Sequence, residues 1–90
     1  MSTPEKIELI RSIMDELATI GYLDNSRSYR TAIDTIKDYL QGFIIPTNPT
    51  KADLYINDAK VIVCAPTGVF ANILQLANGF LELALTELHK

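Results

Sequence analysis

Apolar positions along this chain recur in helical rhythms separated by short polar or proline-containing stretches. In the first rhythm Ile7, Ile10, Ile13, Met14, Leu17 and Ala18 share one face at spacings of three and four. Lys6, Glu8, Arg11, Asp15 and Glu16 largely serve the solvent side, and Leu9 and Ile20 widen the stripe. Ser2 and Glu5 suit a capping box, Pro4 the first turn and Gly21 the stop, so the pattern predicts a first helix between them. A second helix follows residues 22–25, with Asn25 or Ser26 as its cap and Gly42 as its end. Its stripe is Tyr29, Ala32, Ile33, Ile36 and Leu40. The proline-punctuated connector of residues 43–49 begins Phe43-Ile44-Ile45, three bulky apolar residues expected to pack against the core.

Residues 50–64 carry two patterns at once. Thr50 and Asp53 form a second capping-box pair, and Ala52, Tyr55, Ile56, Ala59, Ile62 and Val63 fall on one helical face. Leu54-Tyr55-Ile56 and Val61-Ile62-Val63 are also β-favouring triplets around a turn-like Asn57-Asp58-Ala59-Lys60. Helix is preferred, because cap and period agree and a two-stranded hairpin would itself need covering. The alternative is an α+β fold with a hairpin at about 54–64.

The last third is the most apolar. No charged residue occurs from Val61 to Leu81, and Pro66-Thr67-Gly68 marks the start of a final helix. There Asn72, Gln75, Gly79, Glu82 and Thr86 trace one narrow face, and nearly everything else from Val69 to Leu88 is apolar. At 100° per residue that apolar arc spans about 200°, twice the stripe of a one-sided surface helix. Such a helix must be covered by two or more neighbours. The expected fold is therefore all-α: a compact four-helix bundle-like domain over residues 1–90, with the C-terminal helix most buried.

Cover for that arc can come from the same chain, from a partner or from a second copy. Phe70, Leu74, Leu81, Leu85 and Leu88 are the residues expected to face another subunit if burial is intermolecular. The uncharged run has the length of a membrane span, but Pro66-Thr67-Gly68 interrupts it and Asn72, Gln75 and Asn78 would sit unpaired in hydrocarbon. No membrane role is expected. The N-terminus has no signal-peptide pattern, and a single cysteine fits a reducing compartment, so the expected location is cytoplasmic.

Composition narrows the function further. A net charge of −3 speaks against a general nucleic-acid binder. One cysteine, Cys64, and one histidine, the penultimate His89, supply neither metal-ligand spacing nor a ready nucleophile–base pair. Catalysis, a metal and a cofactor are not expected. One local rule is broken: Arg27 and Arg30 stand in the first turn of the second helix, where the helix dipole favours acids. With Ser26 and Ser28 beside them they form a candidate site for a small anionic or nucleotide-like ligand, unless Asp24 or Asp34 neutralises the arginines. Thr67 and Gly68, at the start of the last helix, are a weaker candidate for the same chemistry.

Plentiful apolar surface with little catalytic chemistry implies a small acidic interaction protein. Inhibitor, immunity, anti-defence or adaptor proteins have this size and architecture, and the partner is another protein or a second copy of the chain. A homo-oligomeric binder of a small anion is the alternative.

Overall fold

A computed structural model describes residues 2–20, 27–65 and 70–90. Among them are four helices and no strand: α1 (Thr3–Ile20), α2 (Arg27–Gln41), α3 (Lys51–Cys64) and α4 (Phe70–Leu88). The helix preference for residues 50–64 holds, and the hairpin is replaced by a continuous α3. Its start explains why. The Thr50 hydroxyl accepts from the Asp53 backbone N–H (3.2 Å). The Asp53 carboxylate accepts in return from the Thr50 backbone N–H (2.9 Å). Two otherwise orphaned donors are satisfied at once, and the β-branched triplets then pack as the inner and flanking faces of a helix. At α1 the exchange is partial. The Glu5 N–H donates to the Ser2 hydroxyl, which itself donates to the Glu5 carboxylate.

The helix backbones approach one another in a closed ring: α1 beside α2, α2 beside α3, α3 beside α4, and α4 beside α1. The α3–α4 pair is the most extensive of the four. Its register is antiparallel, because Tyr55 stacks on Phe80 with ring centroids 6.4 Å apart. Those two residues are nearly equidistant from the short connection after α3. One apolar cluster runs through all four helices, and no polar or charged residue is buried in it among the described residues. Each of α1, α2 and α3 contributes about one buried residue per turn. Among the described side chains of α4 six are buried: Ile73, Leu74, Ala77, Leu81, Ala84 and Leu85. The C-terminal helix is thus the most buried, as the width of its apolar arc predicts.

The connector after α2 divides its three apolar residues. Phe43 is buried and lies under the Lys6 ammonium, 5.3 Å from the ring centroid, while its carbonyl accepts from Lys60 Nζ at 3.2 Å. That one residue ties α1 to α3 and lays residues 43–50 back along α3. Ile45 packs at the edge of the core. Ile44, between them, is 90% exposed, contrary to the expectation that all three pack inward. In an extended segment consecutive side chains point to opposite sides, so burying Phe43 and Ile45 turns Ile44 outward.

Candidate functional site

Two surfaces hold side chains that the core does not use. The first is the outer side of the α3–α4 pair. On α4 the core takes Ile73, Leu74, Ala77, Leu81, Ala84 and Leu85, while Arg11 of α1 reaches the far edge. The Arg11 guanidinium donates to Asn78 Oδ1 at 2.8 Å and pairs with Glu82 at 3.8 Å. The opposite edge is covered by α3 only as far as Phe80. Leu76 and Leu83 lie beyond that reach and are 55% and 47% exposed. They flank Gly79, which is itself exposed, and a Cβ placed on Gly79 would meet no atom within 4 Å. With Asn72 and Thr86 these residues form a neutral seam at spacings of four, three, four and three along the outside of α4. On the neighbouring α3, Leu54 and Val61 are also about half exposed, seven residues apart, with exposed Asp58 between them.

The interface residues expected from sequence are placed differently. Leu74 and Leu81 have no exposed surface, and Leu85 is buried, all within the single chain. Leu88 is exposed near the end of α4. The side chain of Phe70 lies outside the described residues. Among the described side chains of α4, the large apolar ones left exposed are Leu76, Leu83 and Leu88. Sequence did contain the signal for the first two: leucines seven residues apart, centred on a glycine in the middle of a helix.

The second surface is a groove of about 470 Å³ between α1 and the start of α2. Ile13 and Ala32 supply its apolar part, and Glu16, Arg27, Ser28, Thr31 and Thr35 supply the polar part. Thr35 donates its hydroxyl to the Thr31 carbonyl at 2.9 Å. Two of the expected ligand residues, Arg27 and Ser28, therefore line one groove. Arg30 is exposed but is not part of that lining, since it projects from a different side of α2. Neither arginine forms an ion pair with a described residue, so the expected neutralisation by Asp34 does not occur. Ser26, Thr67 and Gly68 lie outside the described residues, as does Asp24. Glu16 is the group that sequence reasoning missed. It puts a carboxylate opposite Arg27 and makes the groove dipolar rather than simply cationic. Ser28, Thr31, Ala32 and Thr35 recur at helical spacing beside the apolar stripe of α2, which is the signal that could have found this face.

Elsewhere the described residues hold no cluster of three or more His, Cys, Asp or Glu side chains able to bind a metal ion. Cys64 ends α3, and His89 follows α4. Because those helices run antiparallel, the two residues stand at opposite ends of α4, about 28 Å apart at ~1.5 Å per residue. No described helix is long and apolar enough to cross a membrane. No family model matches the sequence, and no curated protein or solved structure matches the chain.

Proposed function

We propose that this chain is a small non-catalytic interaction protein that binds a protein partner through the outer face of α3 and α4. One observation carries the reading. Leu54, Val61, Leu76 and Leu83 are left about half exposed on the adjacent helices α3 and α4, whose other described large apolar side chains, Leu88 apart, are buried or partly buried. Single exposed apolar side chains are ordinary, but three leucines and a valine left half exposed on two neighbouring helices are an apolar surface of the kind that marks interaction sites. The reading assigns the chain no cofactor and no catalytic step. It places the protein in a reducing, cytoplasmic setting, where one free cysteine is ordinary. In extract of the source cells the protein is expected to elute well above its own 10.0 kDa. Leu76→Glu with Leu83→Glu should return it to the mass of the free chain. Elution of the native protein at that mass in extract would remove the reading.

A second reading has its own observation. The groove between α1 and α2 collects an arginine, three hydroxyls and two apolar side chains in a volume within the usual range for small-ligand sites. An anionic molecule carrying a group that tolerates Glu16, such as a hydroxyl or amine donor, suits this lining better than a bare phosphate. Thermal stabilisation by members of a nucleotide and sugar-phosphate panel tests it.

A further inference from the structure

Glu16 and Arg27 bring opposite charges to one groove and do not meet. Both line the cavity of about 470 Å³ between α1 and α2. Neither forms an ion pair with the other or with any other described residue. Residues 21–26 join the two helices, so the end of α1 lies beside the start of α2 and the pair runs antiparallel. Arg27 therefore stands at the end of the groove level with Ile20. Glu16 lies about one helical turn further in, or ~6 Å along the axis at ~1.5 Å per residue.

The hydroxyls follow the same division. Beside Arg27 is Ser28, whose O–H can donate to an anion. Two turns along α2, Thr35 has already given its hydroxyl proton to the Thr31 carbonyl at 2.9 Å. Toward a ligand Thr35 is left an acceptor, like the Glu16 carboxylate. Ile13 and Ala32 are partly buried against the core and floor the groove between the exposed polar side chains. The other polar hollow, on α1, differs in one respect. Its arginine, Arg11, is engaged by Asn78 and Glu82.

A donor end, an acceptor end and an apolar floor do not suit a simple anion. A carboxylate or phosphate on Arg27 would set its charge near that of Glu16, and a simple amine on Glu16 would do the same with Arg27. One molecule that carries both charges satisfies both ends. Because the two protein charges do not touch, those of the ligand must be separated too, by methylenes that the floor can cover.

We propose that this groove binds a small zwitterion, an amino-carboxylate whose ammonium and carboxylate are held apart by a short apolar segment. Its carboxylate pairs with Arg27 and Ser28, its ammonium with Glu16 and Thr35, and its methylenes lie on Ile13 and Ala32. The proposal rests on the small-ligand reading of this groove and names the ligand class for it.

Amide chemical-shift titration by NMR on the full chain tests it, with glycine, β-alanine, γ-aminobutyrate, δ-aminovalerate and ε-aminohexanoate as probes. Affinity is expected to rise along the series as the separation approaches that of the protein charges, with saturating shifts at Ser28, Thr31, Ala32 and Thr35. At the best length, the matched carboxylate without the amine and the matched amine without the carboxylate should each bind at least about tenfold more weakly. Glu16→Gln should lower the zwitterion to the affinity of the simple carboxylate, and Arg27→Gln to that of the simple amine. Both side chains are exposed, so helical circular dichroism should be unchanged. Equal binding of zwitterion and simple carboxylate by the native protein overturns the proposal and leaves an anion site standing. Binding that Glu16→Gln does not weaken overturns it as well. If no probe shifts these amides at about 20 mM, where even millimolar affinity would show, the proposal falls. The nucleotide and sugar-phosphate panel then decides the small-ligand reading separately.

Discussion

Two leucines two positions apart show how much one turn of a helix decides. Leu81 has no exposed surface, whereas Leu83 is nearly half exposed. Leu81→Ala should cost about 2–5 kcal/mol, through lost burial and the cavity left behind. Leu83→Ala should stay within about 0.5 kcal/mol, as surface changes usually do. Urea unfolding at concentrations where the protein is monomeric measures both. A domain of this size has only about 5–13 kcal/mol in all, so the first change is severe and the second slight. Gly79→Ala should act in the opposite direction. It should stabilise the monomer by about 1 kcal/mol. In a scan of the dilute protein that corresponds to a rise of about 4–8 °C. At the groove, Arg27 and Arg30 separate in the same way. Arg27→Glu should abolish any ligand-dependent rise in melting temperature, while Arg30→Glu should preserve it, because only Arg27 lines the groove. Sequence presented the two arginines as equivalent members of one turn. Their difference comes from where α1 lies, which spacing within α2 does not contain.

At the scale of the element, most of the architecture was legible before folding was considered. Stripes at spacings of three and four located α1, α2 and α4, and the observed start of α4 at Phe70 lies one residue from the start of its apolar run. α3 was the contested element, and its N-terminus settles it. Thr50→Ala removes the hydroxyl that accepts from Asp53, and should cost about 1 kcal/mol of stability in chemical unfolding. A much smaller loss would mean that core packing through Ile56, Ala59 and Val63 holds the helix without its cap. The connector is a different case. Phe43 and Ile45 turn inward and Ile44 outward because an extended segment alternates its sides, and the chain alone does not say which residue of the three is anchored. The anchor is Phe43, fixed between Lys6 of α1 and Lys60 of α3, residues remote from it in sequence.

For the molecule as a whole, the ring α1–α2–α3–α4 gives every helix two neighbours and leaves each an outer side. Net charge is small and the α4 seam is neutral, so association with a protein partner through that seam should resist salt. Raising ionic strength from 0.1 to 1 M shortens the screening length from about 10 to 3 Å. The elution position of the complex in extract is expected to stay the same over that range. A complex lost at high salt would instead depend on charged groups, and the seam would be the wrong surface. Periodicity is a property of neighbours along the chain, so the sequence by itself determined α1, α2 and α4, the broad apolar arc of each and that α4 needs cover from two sides, while it only preferred a helix over a hairpin for α3. Which part of that arc is covered depends on the direction from which α1 and α3 approach, and that is decided only when distant segments pack. Leu74, Leu81 and Leu85 entered the core for this reason, and Leu76 and Leu83, on the same apolar arc, stayed outside it.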